Sequence, residues 1–100
     1  MLIVAGRGQI RGDRRSEAVA AAVKMARATQ AEAGCRSYAF HADLEDANTF
    51  LIFELRDDEA ALLAHFQTPH MAEFNAVIGQ FVAAPPSIDR DEIAGVRKLM

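Results

Sequence analysis

Tryptophan is absent from this 100-residue chain, cysteine and tyrosine occur once each, and proline occurs three times. The lone Cys35 excludes an internal disulfide framework and any cysteine-rich zinc site, and it fits a reducing, cytoplasmic setting. Long apolar runs are also missing. No stretch approaches the ~18 residues of a membrane span, and Leu2 to Ala5 is too short for the apolar region of a signal peptide. Charge of one sign is nowhere concentrated. With 11 basic and 14 acidic side chains the net charge is −3 with histidine neutral, so nucleic acid finds no basic patch. The rest is 51% hydrophobic and 25% charged, an ordinary globular composition for one core. One domain is expected over residues 1–100, with its core at about 2–94 and 95–100 as an extension.

Leu2 to Ile10 opens as a strand with Leu2, Val4 and Ile10 on one face. Gly6 and Gly8 lie between them, where another group must approach closely. Asp13 is the expected N-cap of a long alanine-rich helix over Arg14–Ala33, its apolar stripe being Val19, Ala22, Val23 and Ala26. Gly34 stops that helix. Cys35–Asp43 and Asn48–Arg56 read as strands joined by an acidic turn at Leu44-Glu45-Asp46. Asp57 or Asp58 caps a short helix carrying Leu62, Leu63 and Phe66. Thr68-Pro69 restarts it, with Phe74, Val77, Ile78, Phe81 and Val82 at helical spacing. Pro85-Pro86 ends that helix, and a last strand runs from Ser87 to about Ala94.

The order βαββαβ predicts an α+β, ferredoxin-like layout: a four-stranded antiparallel sheet with its helices on one face. The other face is then bare, yet the strand at Phe50 to Leu55 is apolar on both sides. A second copy packed sheet against sheet is the expected cover, making a homodimer.

Chemistry has few carriers here. His65 and His70 are five apart across Thr68-Pro69 and form no simple helical metal pair. Glu73 stands three after His70, and His41 or Glu54 would have to complete a site, but no spacing demands it; no metal is expected. Ser16, Ser37 and Ser87 lack a nucleophile elbow, and Cys35 reads as a small buried hydrophobe. Gly6-Arg7-Gly8 is followed by no helix and makes no phosphate loop. Glu54 sits in the most apolar strand, where an unpaired charge is costly. It serves either a salt bridge or hydrogen bond, or a cavity wall where it orients a base or a substrate hydroxyl. His65 and His70 bracket a helix break beside an aromatic stripe, and either could act as acid or base near neutrality. Tyr38 and Asn75 can hydrogen-bond a phenolic or carbonyl ligand. Phe53, Phe66 and Phe74 are core residues that can also wall an apolar cavity.

Several segments, taken in order, resemble the antibiotic biosynthesis monooxygenase (ABM) family. They are Glu32-Ala33-Gly34-Cys35 with Tyr38, Phe50 to Glu54, Glu59-Ala60 leading to His65, and Thr68-Pro69-His70 with Phe74. The resemblance runs from about Leu2 to Ala94 and implies a dimeric α+β barrel. It also implies cofactor-independent oxygenation of a quinol or polycyclic phenol by O2. Under that reading His65 or His70 removes a phenolic proton, while Glu54 and Tyr38 orient it. Tyr38, Phe53, Phe66, Phe74 and Asn75 would contact substrate. Haem-degrading relatives place an asparagine in the first strand and a tryptophan and a histidine in the second-helix region; here Gly6 takes the first position and tryptophan is absent, which argues against haem chemistry. Arg56 stands where relatives often carry an aromatic. The alternatives are a non-oxygenase isomerase of a small carbonyl compound, using the same base without O2, and a non-catalytic small-ligand-binding barrel.

Overall fold

The computed structural model describes Met1–Met100. Its elements are β1 (Leu2–Gln9), α1 (Arg15–Gln30), β2 (Cys35–Ala42), β3 (Thr49–Arg56), α2 (Glu59–Phe66), α3 (Pro69–Ile78) and β4 (Ser87–Glu92). The strands form one antiparallel sheet in the order β2-β3-β1-β4. This is the α+β, ferredoxin-like arrangement expected from the order of elements. No helix is long and apolar enough to cross a membrane.

Two apolar clusters anchor the helices to the sheet. Leu62 of α2 packs on Leu2 and Val4, and Phe81 packs with Ile10 and Ala18 of α1. The expected close approach at Gly6 is real. A Cβ there would lie 2.6 Å from both the Ile88 side chain and the Ser87 carbonyl oxygen, so only glycine lets β4 start this close to β1.

Several local expectations are corrected. Helix α1 begins at Arg15, after a 3-10 turn at Gly12–Arg14, and ends at Gln30. Asp13 does not cap it, because the carboxylate is taken by the Arg11 guanidinium at 2.8 Å. The buried stripe of α1 is Ala18, Ala22, Met25 and Thr29, whereas Val23 is 40% exposed. Within that stripe the small Ala18 and Ala22 let the helix approach its neighbours, while Val19 and Val23 face an open groove beside Phe40. Helix α3 stops at Ile78, well before Pro85-Pro86. Phe81 and Val82 meet Ile10 from a turn. β4 ends at Glu92, and residues 95–100 carry no regular structure.

Other expectations hold in detail. Asp58 caps α2 by accepting from the Ala61 N–H at 2.9 Å. Thr68 caps α3 by accepting from the Met71 N–H at 3.2 Å, with Pro69 at the first helical position.

Candidate active site

Side-chain alternation sends Phe50, Ile52, Glu54 and Arg56 of β3 towards the helices and Leu51, Phe53 and Leu55 to the opposite face. Arg56 is wholly buried. Its Nε donates to Glu54 Oε1 at 2.9 Å, and its Nη1 donates to Glu32 Oε1 at 3.0 Å. Its Nη2 has no partner within the chain. The two carboxylates hold the guanidinium protonated more firmly than usual, overcoming a desolvation that works the other way.

Glu32 lies just past α1, in the turn to β2. Gly34, at φ +78°, reverses the chain there, and the Asp57 N–H donates to the Gly34 carbonyl at 2.9 Å. The reversal brings Glu32 over the end of the sheet and against α2 and α3. His65 Nδ1 lies 2.8 Å from Glu32 Oε2, and His70 Nε2 contacts the same oxygen. Desolvation alone would raise the Glu32 pKa, but hydrogen bonds from His65, His70 and Arg56 outweigh it and hold the carboxyl below its ordinary range. The helix break expected at Thr68-Pro69 orients both rings. Thr68 Oγ1 donates to the His65 carbonyl at 2.7 Å, closing α2, while the same residue caps α3. The ring centroids end 5.9 Å apart.

Between the sheet and the helices lies a cavity of about 340 Å³, lined mostly by apolar side chains. Small-molecule sites occupy roughly 300–1,000 Å³ with a few convergent polar groups, so this cavity suits a small ligand. Arg7, Tyr38, Glu54, His65 and Asn75 are the polar residues among its walls, with Phe66 and Phe74 among the apolar ones. Tyr38 is opposite Glu54 in the β2–β3 register, and its ring centroid is 5.7 Å from that of His65. Burial, and then the Glu54 charge, push its phenol pKa well up, so Tyr38 is a hydrogen-bond donor at neutral pH. Burial likewise raises the Cys35 thiol, which stays a packing group.

Of the residues singled out in the sequence, six share this cavity: Tyr38, Glu54, His65, Phe66, Phe74 and Asn75. His70 stands behind it, on Glu32 and in a small cleft with Lys24 and Glu73. Phe53 is 39% exposed beside Arg7, His41 and Leu51 on the opposite sheet face, away from the cavity. Glu54 meets Arg56 rather than a histidine. Spacing alone did not single out Glu32 and Arg56, which organise the cluster. Glu32, His65 and His70 also form the one His/Cys/Asp/Glu group with metal-binding geometry, their donor atoms all within 4.8 Å of one another.

Comparison with known proteins places this geometry in context. The family model described as antibiotic biosynthesis monooxygenase matches residues 1–77, which include every residue of the cluster and most of the cavity wall. An uncharacterized Synechocystis protein, sll1783, is 35% identical over 98 residues, covering 98% of this chain and 67% of its own length. YcnE of Bacillus subtilis, named as a candidate monooxygenase, is 27% identical over 94 residues, covering 94% of this chain and 99% of its own. A Deinococcus radiodurans crystal structure, described as that of a candidate antibiotic biosynthesis monooxygenase, superposes with a TM-score of 0.91 at 25% identity, covering 100% of this chain and 99% of that one. With the match running from β1 through both site histidines, the chain belongs to the antibiotic biosynthesis monooxygenase family.

Proposed function

We propose that this protein is a cofactor-independent monooxygenase that oxidises a quinol or polycyclic phenol with O2, with His65 as the base. The observation that carries this reading is the buried His65 ring on the cavity wall with Nδ1 fixed on the Glu32 carboxylate. A neutral imidazole that donates Nδ1–H to a carboxylate keeps the Nε2 lone pair for proton abstraction. Glu32 is therefore a positioning residue, and Arg56 in turn holds Glu32. Tyr38 and Asn75 supply hydrogen bonds to substrate oxygens from the cavity wall, which Phe66 and Phe74 also line. His70 steadies Glu32 from behind.

His65 takes the phenolic proton. The phenolate passes one electron to O2, and the resulting superoxide and phenoxyl radical combine as a peroxide. His65 returns its proton to the peroxide anion, and breakage of the O–O bond and the ring C–H bond releases water and leaves a carbonyl, so a phenol and O2 give a quinone and water. The electrons come from the substrate, and the protein contributes positioning, exclusion of bulk water and proton management. A homodimer formed through the opposite sheet face, each chain being one domain, completes the reading.

Oxygen uptake by purified protein, without added metal or flavin, tests it across a panel of quinols and polycyclic phenols. Uptake above autoxidation is expected, with His65→Ala reducing kcat by about 10²–10⁴-fold, the usual worth of a general base. Glu32→Gln should lower kcat more than it changes KM, since it acts through the base. Turnover that persists in His65→Ala would remove the base from this assignment. Turnover without O2 consumption would turn the reading towards isomerisation in the same cavity.

A further inference from the structure

We propose that Glu32, His65 and His70 also form a site for one divalent transition-metal ion, and that filling it takes His65 out of service as a base. The second half of this inference rests on the role of His65 given above; the first half does not. Two imidazole nitrogens and a carboxylate oxygen are the donor set of mononuclear zinc and related sites, which favour imidazole with carboxylate. Metal–ligand bonds of about 2.0–2.2 Å place the donors of a tetrahedral site about 3.3–3.6 Å apart. His65 Nδ1 and Glu32 Oε2, at 2.8 Å, need to part by only a fraction of an ångström to admit an ion, and all three donors lie within 4.8 Å. The donors come from three places in the fold: the turn after α1, the end of α2 and the start of α3. Their convergence is built by Gly34 and by the Thr68 cap, not by chance on one mobile loop.

The surroundings suit a cation. Arg56 Nη1 occupies Glu32 Oε1, which leaves Oε2 turned to the histidines. Glu32 and Glu54 carry two negative charges against the one positive charge of Arg56, so a cation meets a net charge of −1. His70 is the most open of the three side chains, at 22% exposure, and lines the cleft between α1 and α3 that gives access from solvent.

The coupling to chemistry follows from the tautomer. Without metal, His65 donates Nδ1–H to Glu32 and Nε2 carries the free lone pair. A metal at Nδ1 needs the lone pair there, which moves the proton to Nε2. The ring then presents an N–H to the cavity and can no longer accept the phenolic proton. No electron is transferred.

Titration calorimetry of chelator-treated protein with zinc alone, combined with long-range proton–nitrogen spectra of the histidine rings, tests both halves without any substrate. One ion per chain is expected. His70→Ala and Glu32→Gln should each weaken binding by more than the roughly 10–100-fold produced by changing an outer-shell partner. Both variants retain His65, and circular dichroism shows whether they are folded. The His65 proton should move from Nδ1 to Nε2 as zinc is added. Absence of binding, or binding equally strong in both folded variants, would overturn the site. Binding at the triad without a change of tautomer would overturn its coupling to the base. A failed oxygenase assay would leave both readouts standing, so the two proposals fail separately.

Discussion

Glu32 accepts from three donors at once, His65, His70 and Arg56, while most of its surface is withdrawn from water. Such a carboxylate stays ionised because each donor favours the charged form, and it fixes whichever ring proton points at it. Its neighbour Tyr38 shows the opposite case: burial and the nearby Glu54 carboxylate penalise the phenolate. As Tyr38 is the only tyrosine in the chain, its ionisation can be read alone by ultraviolet absorbance. In the unfolded chain the phenol ionises near its ordinary pKa of about 10, whereas in the folded chain its pKa is raised. The stability tied to neutral Tyr38 is therefore complete below about pH 10 and declines as pH rises above it. An alkaline titration of metal-free protein should show no phenolate step near pH 10 while circular dichroism reports the fold, with the step arriving together with unfolding. A step at pH 10 in folded protein would contradict the burial argument. At this scale the sequence displayed the residue types that do chemistry, so His65, His70, Tyr38 and Glu54 were legible from what they are. Glu32 carries no signal of its own in the sequence beyond its motif, because its partners lie 24, 33 and 38 residues away and only the fold brings them together.

Several elements stand where a local rule puts them, although the cap expected at Asp13 is lost to Arg11. The Thr68-Pro69 restart, the Asp58 cap and the strand alternation of β3 depend on neighbours in sequence, and each stands where those rules put it. The face of α1 was not local. The expected stripe shares Ala22 with the buried face, but packing against the rest of the fold buries Ala18, Met25 and Thr29 beside it and leaves Val23 40% exposed. Phe81 and Val82 continued the spacing of α3 by coincidence, since a turn at Gly79–Phe81 delivers them to Ile10. The link from α1 to β2 matters most for the site because it carries Glu32. Gly34 there combines φ +78° with a position where a Cβ would lie 2.6 Å from the Ala61 Cβ of α2. Gly34→Ala should cost about 1–3 kcal/mol, the range for a non-glycine residue forced into a left-handed conformation. At ~4–8 °C per kcal/mol in a domain of this size, the loss is visible in a thermal melt. Gly79→Ala is the matched control. Its φ is −59° and nothing lies within 4 Å of the added carbon, so little or no loss is expected. Equal melting of the two variants would show that Gly34 is not under the constraint described.

For the whole molecule the helices cover one face of the sheet, and the other face remains exposed to solvent. Ile3 and Ala5 of β1 and Leu51, Phe53 and Leu55 of β3 fall on that uncovered side, where a shallow hollow of about 400 Å³ opens between Arg7, His41 and Asp89. Contiguous apolar surface rimmed by polar groups marks an interaction site, and a face of this kind can close on its own copy about a two-fold axis. The sequence carried this expectation because alternation gives large apolar groups to both sides of β3, while the geometry of pairing depends on a second chain. The exposed ring of Phe53, away from the cavity, belongs to this face. Light scattering at micromolar concentration should therefore give twice the 10.9 kDa chain mass. Phe53→Glu should shift the protein to monomer, since burying an unpaired carboxylate at the centre of an apolar interface is costly. Its circular dichroism should stay near that of the parent, because the side chain packs on no helix. A monomeric parent, or a Phe53→Glu variant that remains dimeric, would rule out sheet-to-sheet pairing. The same variant separates the two faces functionally. Glu32, Tyr38, Glu54, His65 and His70 all come from one chain and lie on the helical side of the sheet. A folded monomer should therefore keep the cluster intact, and any loss of turnover it suffers would trace to weaker support beneath the cavity.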